Sequence, residues 1–338
     1  MKTKQLIGII VTGVVIIAVG VTGIVSNVVS KKLLAESEEK SNAVFRQIFD
    51  GVTSGVELPD EEFIGVLNIV GEIGASGGSS YFRSGSAYNH ELYMKYVDEM
   101  EKSDLNKGIF LYVNSPGGSV YESDELYQKL MEYKEVTKRP IWAYFASQAC
   151  SGGYYISMAA DEIQANRNTW TGSIGVIISL TNVKGLYDKL GIKEIDITSG
   201  KNKAMGSMGL DLTEEQEGIL QSLVDEAYDQ FVGIVAEGRN MSESEVRTLA
   251  DGRIYSGNQA VQNGLVDAIA NVEDTKAAFI EKLECDKDIL FYEPENDVGD
   301  FFNSLFGKVE ELLPKSETDL ADDIMNHQGN GVLKYYAK

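Results

Sequence analysis

Residues 141–155 are IWAYFASQACSGGYY, in which one apolar run passes through a serine and two glycines into a second apolar run. The pattern predicts a short buried strand over Ile141–Phe145 and a helix over Ser151–Ala160. Ser151 then stands at the corner between them, where the amide of Gly152 and the start of a helix can stabilise a developing oxyanion. The corner is therefore a candidate nucleophile site, although a serine that only caps a helix has the same local sequence.

Short apolar runs alternate with longer amphipathic runs on both sides of this corner. The other predicted strands are Phe63–Val70, Gly108–Val113, Ile163–Ala165, Ile174–Ile178, Ile192–Ile197 and Ile289–Tyr292. The other predicted helices are Asn89–Lys102, Val120–Lys134 and Thr181–Leu190, together with two that begin at capping boxes, from Thr213 to about Arg239 and from Ser242 to about Ala250. Strands that alternate with helices at this spacing predict an α/β fold, with a mainly parallel sheet and flanking helices.

The N-terminus carries a long uncharged segment. Leu6 to Ser30 contains 25 residues without a charge, and a helix of that length is about 37 Å long at about 1.5 Å per residue, which is enough to cross a bilayer. The segment ends without the small-residue cleavage site of a secretory signal peptide. We therefore predict an uncleaved transmembrane anchor over residues 6–30, after a short segment at residues 1–5. Lysines flank both ends, so charge does not decide its orientation.

The remaining residues divide into a stalk at 31–60, a main domain at 61–293 and an acidic tail at 294–338, which we expect to be mobile. Within the main domain, the Gly- and Ser-rich residues 74–86 predict an exposed loop, either the lip of a groove or an ordinary surface loop. The tail ends in the more apolar residues 331–336. Two interpretations remain open there: this segment lies in a groove as a self-substrate, or it is a solvated terminus.

The composition argues against several classes of function. The net charge of −22 disfavours nucleic-acid binding, because an acidic surface repels phosphate and no basic stripe interrupts it. The two cysteines, Cys150 and Cys285, are too few for a disulfide framework and do not have the spacing of a zinc site. We predict neither a metal nor another cofactor.

A second glycine-rich corner follows the strand predicted at Gly108–Val113. It has the sequence Asn114-Ser115-Pro116-Gly117-Gly118 and also precedes a predicted helix. Because the carboxyl ends of parallel strands lie at one edge of a sheet, where α/β folds bind ligands, both corners are expected at the same edge. The amides of Gly118 and Gly152 are the candidate donors to an oxyanion.

A nucleophilic serine needs a base. His90 and His327 are the two histidines, and neither follows a predicted strand, so a Ser-His-Asp triad has little support. Lys201 and Lys203 lie in the loop after a predicted strand, and their spacing alone does not choose between them. A lysine acts as a base at neutral pH when desolvation lowers its pKa, which a bound apolar substrate or a neighbouring subunit could cause. Cys150 is an alternative nucleophile, but without a histidine partner it fits better as a small packed residue.

Five motifs in combination carry a resemblance to a known family. They are Asn114-Ser115-Pro116-Gly117-Gly118, Ser151-Gly152-Gly153-Tyr154-Tyr155, Thr171-Gly172-Ser173-Ile174-Gly175-Val176, Ser199-Gly200 followed by Lys203, and Asp251-Gly252-Arg253-Ile254-Tyr255-Ser256-Gly257. Over about residues 63–270, and in its predicted anchor, the chain resembles the signal peptide peptidases of the protease IV type, peptidase family S49, in their shorter Gram-positive form. It departs from that pattern at Cys150, where a small residue such as alanine is common, and at Met208-Gly209, where proline is frequent.

The resemblance implies a role for each of the candidate residues. It makes Ser151 the nucleophile and Lys203, ahead of the other lysine of that loop, the general base and acid. Ser173 positions the lysine amine, and Gly118 and Gly152 are the oxyanion donors. No cofactor takes part in this chemistry.

The resemblance also implies properties of the whole molecule. It suggests a ClpP/crotonase-like fold and a homo-oligomeric ring. It places the catalytic domain on the extracytoplasmic side of the cell membrane, anchored by the helix at residues 6–30. The implied substrates are remnant signal peptides and other extended apolar peptides.

Two other classes of function compete with a peptidase. A crotonase-type acyl-CoA enzyme shares the fold and its oxyanion corners, but CoA phosphates favour a basic groove and a bilayer anchor is not expected there. A catalytically silent membrane scaffold would use Ser151 as a helix cap, and it has no need of Ser151, Ser173 and Lys203 together. We therefore expect a membrane-anchored serine endopeptidase with a Ser-Lys dyad.

Overall fold

A sheet of eight strands is the centre of the part of the chain that the structure, a computed structural model, describes. That part is residues 56–74 and 88–294, with the backbone of residues 334–336. The predicted anchor at residues 6–30 lies outside it, as do most of the predicted stalk, the glycine- and serine-rich loop and the tail. None of the helices in the described ranges is long and apolar enough to span a membrane.

Strands and helices alternate along these residues. The strands are β1 Phe63–Val70, β2 Asn106–Ser115, β3 Gly117–Ser119, β4 Ile141–Cys150, β5 Glu162–Ala165, β6 Trp170–Gly172, β7 Ile254–Ser256, β8 Ala268–Ile269, β9 Leu290–Tyr292 and β10 Lys334–Tyr336. The helices are α1 His90–Lys102, α2 Val120–Thr137, α3 Gly152–Ser157, α4 Lys184–Leu190, α5 Glu214–Arg239, α6 Glu243–Leu249, α7 Gly257–Gln262 and α8 Val272–Leu283. The alternation confirms the predicted α/β class.

The main sheet has the strand order β7-β6-β4-β2-β1-β9, and β5 pairs with both β4 and β8. Among the described strands of this sheet, every pair is parallel except β6 with β7. The long strand β4 pairs with β5 through residues 142–145 and with β6 through residues 148–150. Its last residue therefore lies beside the end of β6, directly before Ser151.

Side chains cover both faces of the sheet. On one face, α8 packs its Phe279 against Trp142 of β4, with the ring centroids 5.1 Å apart and the rings stacked. The other face carries the larger core cluster, in which Tyr96 of α1, Leu130 of α2 and Phe231 of α5 are fully buried. Burial on both faces explains why the strands are nearly continuous apolar runs instead of alternating ones.

Two predicted strands are wrong. Neither Ile174–Ile178 nor Ile192–Ile197 forms a named strand, and Ile195 and Ile197 are 79% and 97% exposed. The second segment contains three isoleucines, but a strand also needs a neighbour that accepts its backbone hydrogen bonds, and within the described residues none pairs with it. The short strands β6, β7 and β8, which the sequence did not predict, occupy the sheet instead.

Candidate active site

Ser151 links β4 to α3 in a strained backbone conformation. Its φ is +54° and its ψ is −115°, a region that residues with a side chain rarely adopt, at a cost of about 1–3 kcal/mol. Two hydrogen bonds hold it there: its amide donates to the Gly172 carbonyl at 2.8 Å, and its carbonyl accepts from the Tyr155 amide at 2.8 Å. Strain that the fold maintains in this way is typical of functional sites.

The Ser151 hydroxyl is buried and unsatisfied. The residue has no exposed surface, and its Oγ has no hydrogen-bond partner among the described residues. A buried polar atom without a partner is rare and costs about 1–3 kcal/mol, so such an atom calls for an explanation. A role as a helix cap does not provide one, because the Ser151 side chain forms no capping hydrogen bond to α3.

The two glycine corners meet. A Cβ atom on Gly152 would lie 3.3 Å from the Gly118 amide nitrogen and 3.4 Å from Cδ1 of Ile73. The Ile73 amide donates to the Gly117 carbonyl at 2.9 Å, and its carbonyl accepts from Ser119 at 2.8 Å. These two bonds flank Gly118, so its own N–H points away from Ile73. The structure thus brings Gly118 and Gly152 together beside Ser151.

The exposed side of β3 carries a strand from the end of the chain. Residues 334–336 of β10 pair with it in the antiparallel sense, with Tyr335 opposite Gly118. Because the Gly118 N–H faces this side, an extended backbone already occupies the position next to the candidate oxyanion donor. Of the segment 331–336, the structure describes residues 334–336, and these lie along β3.

Ser173 lies directly after β6. It is 6% exposed and has a φ of +48°, and its amide donates to the Arg253 carbonyl at 2.8 Å. Gly172, which receives the amide of Ser151, is its neighbour in the chain. Backbone hydrogen bonds thus connect the corner at Ser151 through β6 to the turn at Arg253.

The turn at residues 251–253 belongs to a motif for which the sequence predicted no role. Asp251 accepts from the Arg253 amide at 3.1 Å and from its guanidinium, which lowers the pKa of the Asp251 carboxyl to about 2. Gly252 donates to the Ile174 carbonyl at 3.1 Å. The turn therefore supports the backbone around Ser173, and strand β7 continues this contact.

Lys203 and Lys201 differ in their surroundings. Lys201 forms an ion pair with Glu215 at 2.6 Å, at the start of α5. Lys203 is exposed in the turns that precede α5. The structure does not bring Lys203 to Ser151, since Oγ of Ser151 has no partner in the described part of one chain. Lys201 therefore has an ion-pair partner at the surface, and the described ion pairs do not include Lys203.

The segment that carries Lys203, residues 176–212, exposes many apolar side chains, and we call it the apolar arm. Its helix α4 buries no residue. Its exposed large apolar residues are Ile177, Leu186, Leu190, Ile192, Ile195, Ile197 and Leu210. Exposed apolar residues that form a contiguous patch are typical of interaction sites.

The other candidate groups lie in ordinary structural environments. Nδ1 and Nε2 of His90 are each 2.7 Å from a partner, the hydroxyl of Tyr88 and the carboxylate of Glu125 respectively. His327 lies outside the described residues. Cys150 is 1% exposed, and burial raises the pKa of its thiol to about 12. In the described ranges, no group of three His, Cys, Asp or Glu side chains could hold a metal ion.

Because a raised pKa keeps the thiol protonated, and the thiolate is the reactive form, Cys150 is expected to resist alkylation in the native protein at pH 8. Cys285, which is only partly buried, is the internal control. Peptide mapping after treatment with N-ethylmaleimide should find Cys285 modified at least about tenfold faster. Equal rates of modification of the two cysteines in the folded protein would show that the packing around Cys150 opens.

Comparisons with known proteins show the family to which this chain belongs. The family model described as peptidase family S49 matches residues 134–286, and that described as Clp protease matches residues 86–177. The chain is 41% identical to a protein of Enterococcus faecium named "Putative signal peptide peptidase SppA", over 80% of each chain. It is 32% identical to "Protease 4" of Haemophilus influenzae, over 75% of this chain and 42% of that protein. It is 31% identical to "Serine protease SPPA, chloroplastic" of Arabidopsis thaliana, over 56% of this chain and 28% of that protein.

Proposed function

Because this chain belongs to peptidase family S49 and is a serine peptidase, we propose that it cleaves extended apolar peptides with Ser151 as nucleophile and Lys203 as general base. One observation carries the proposal. The Ser151 hydroxyl is buried, strained into place and without a partner among the described residues, and it stands beside two glycine amide corners. An unsatisfied hydroxyl in that position has the surroundings that an acyl-transfer nucleophile needs.

The proposed reaction passes through an acyl-enzyme. Neutral Lys203 takes the proton of the Ser151 hydroxyl as its oxygen attacks the peptide carbonyl carbon. The amides of Gly118 and Gly152 stabilise the oxyanion that forms. The C–N bond then breaks, the protonated lysine gives its proton to the leaving amine, and the acyl group remains on the serine. Lys203 next activates a water molecule, which hydrolyses the ester and restores both residues. Ser173 is proposed to position the lysine amine.

The pairing of β10 with β3 supports a binding mode for the substrate. An extended peptide that replaces residues 334–336 would add an antiparallel strand to β3. Such pairing uses the peptide backbone, which is common to all sequences, so side-chain pockets would supply the preference for apolar residues. A peptide paired in this way would have its backbone next to the Gly118 amide, where the proposed reaction requires the scissile carbonyl.

Remnant signal peptides are the proposed natural substrates. They are apolar and are released into the membrane, and the predicted anchor at residues 6–30 would hold the enzyme beside them on the extracytoplasmic side. The name of the Enterococcus faecium relative refers to the same class of substrate.

Self-association would complete the site. The apolar arm exposes large apolar side chains. Lys203, which lies on this arm, is exposed to solvent within one chain. A homo-oligomeric ring that packs this arm against another copy would bury both the apolar residues and the lysine, which is the condition for a neutral amine. We propose that the active enzyme is such an assembly.

A serine-directed fluorophosphonate probe tests the nucleophile assignment. The full chain in detergent is expected to be labelled at Ser151, since the probe forms a tetrahedral adduct that two amide donors stabilise. Ser151→Ala should abolish labelling, while Ser157→Ala, which alters another buried serine of the same corner, should retain it. Mass spectrometry that located the adduct on a different residue would refute the proposal.

Occupation of the groove by β10 is expected to lower activity toward short peptides. Tyr335→Pro removes the amide that faces Gly118, so the tail can no longer pair with β3. Because a tethered occupant competes at a high effective concentration, kcat/KM for a short fluorogenic peptide should rise about two- to tenfold. The control is Ala337→Pro, which follows residues 334–336 in the sequence. An unchanged kcat/KM in Tyr335→Pro would favour the solvated-terminus interpretation.

A further inference from the structure

We propose that Ser123, in the first turns of α2, is a positioning residue that fixes the spacing of the two oxyanion amides. The inference rests on the proposed function, since it assumes that Gly118 and Gly152 donate to the oxyanion. Ser123 is fully buried. It lies far from Ser151 in the sequence, so only the fold brings it to the Ser151 corner. No motif of the sequence pointed to it.

Ser123 touches the Gly152 corner directly. A Cβ atom on Gly152 would overlap Oγ of Ser123, so the hydroxyl fills the space next to the glycine. The same Cβ would lie 3.3 Å from the Gly118 amide nitrogen. The serine hydroxyl and the Gly118 amide therefore border the same side of Gly152. Their contact with the glycine limits how far the start of α3 can move toward β3.

Ser123 also holds the Gly118 corner. Its hydroxyl donates to the Ser119 carbonyl at 2.7 Å. Ser119 is the last residue of β3, and its amide donates to the Ile73 carbonyl at 2.8 Å. The residue next to Gly118 is thus fixed through both its amide and its carbonyl, and Ser123 supplies the second of these bonds.

One side chain therefore connects the two corners. An oxyanion hole requires two donors about 2.7–3.1 Å from the same oxygen, and a small change in their separation weakens both hydrogen bonds. Ser123 bonds to one corner and packs against the other, so its removal would let their separation vary. It does not touch the reacting atoms, and its effect would pass through the glycine amides.

The experiment is Ser123→Ala in the full chain, measured on a fluorogenic apolar peptide. The amides act on the transition state more than on the bound substrate, so kcat should fall about tenfold while KM changes less than about twofold. A peptide aldehyde, which forms a hemiacetal oxyanion with the nucleophile, should bind about tenfold more weakly. The matching peptide alcohol forms no oxyanion, so its affinity should not change.

Thr275→Ala is the matched control. Thr275 is also fully buried and donates to the carbonyl four residues earlier, at 2.9 Å, but it lies in α8 on the other face of the sheet. It should lower the melting temperature without changing kcat or aldehyde affinity. If Ser123→Ala does not fold, Ser123→Cys, which has a similar shape and a weaker donor, is measured in the same way.

The outcomes separate the inference from the proposed function. If Ser151→Ala is inactive and Ser123→Ala keeps wild-type kcat and aldehyde affinity, the positioning role is wrong and the nucleophile assignment stands. Equal losses of aldehyde and alcohol binding would also overturn it, because they indicate a general collapse of the groove. If Ser151→Ala retains activity, the proposed function itself fails.

Discussion

Lys203→Ala is expected to lower kcat/KM for a fluorogenic apolar peptide by about 1000-fold or more, whereas Lys201→Ala retains most of the activity. Without a base, the serine hydroxyl must lose its proton to water, and removal of one member of a catalytic unit costs nearly as much as removal of the whole unit. Lys201 instead forms a surface ion pair with Glu215, and exposed pairs of this kind contribute about 0–1 kcal/mol to stability. The rates are measured on full chains in detergent.

Ser151→Ala belongs in the same series and should be as inactive as Lys203→Ala. A mixture of these two inactive variants adds a test of the proposed assembly. If the lysine of one copy serves the serine of another, mixed oligomers contain intact pairs and recover part of the activity. Equal turnover by all the variants would mean a contaminating peptidase or another nucleophile, and the Ser-Lys assignment would be lost.

Gly118→Ala is expected to lower kcat by about 100-fold or more, because loss of one oxyanion donor costs about 10²–10³ in kcat. A Cβ at this position would overlap the backbone of Ile73, which cannot yield as a flexible side chain can. Strand β3 must therefore shift, which moves the Gly118 N–H and also the edge to which an extended peptide would bind. The moved N–H and the moved edge both slow the attack on the bound peptide carbonyl.

Gly74→Ala is the control for this change, since Gly74 follows Ile73 and a Cβ there would meet no atom of the described residues within 4 Å. It should keep wild-type kcat and melting temperature. Circular dichroism would verify that Gly118→Ala is folded, and the fluorophosphonate probe would report whether Ser151 still reacts. A folded Gly118→Ala protein with wild-type kcat would remove Gly118 from the oxyanion site.

The regular elements were predictable where a local pattern matched the final packing. Phe63–Val70 forms β1 with the predicted bounds, since it is apolar and pairs on both sides. The capping boxes at Thr213 and Ser242 are both present, because those hydrogen bonds depend on residues three positions apart. The strand predicted at Ile192–Ile197 is wrong, because its isoleucines are a local signal while strand pairing depends on distant residues.

The residues of the candidate site were likewise predictable only where a local sequence pattern indicates them. Glycine-rich corners after apolar runs indicated Gly118 and Gly152, and the parallel sheet explained why they share an edge. Ser123 could not be predicted, since its contact with Gly152 arises from the packing of α2 against α3. Strand β10 lies more than two hundred residues from β3 in the chain, and no periodicity of either segment indicates their pairing.

The backbone of Ser151 has a consequence for how this protein can evolve. Glycine would adopt a φ of +54° without the penalty that serine pays, so the folded state alone favours glycine at position 151. Under the proposed mechanism, selection for turnover keeps a serine there. A lineage released from that selection would gain stability by losing the proposed nucleophile, and the change could not easily be reversed once neighbouring residues had adjusted to the glycine.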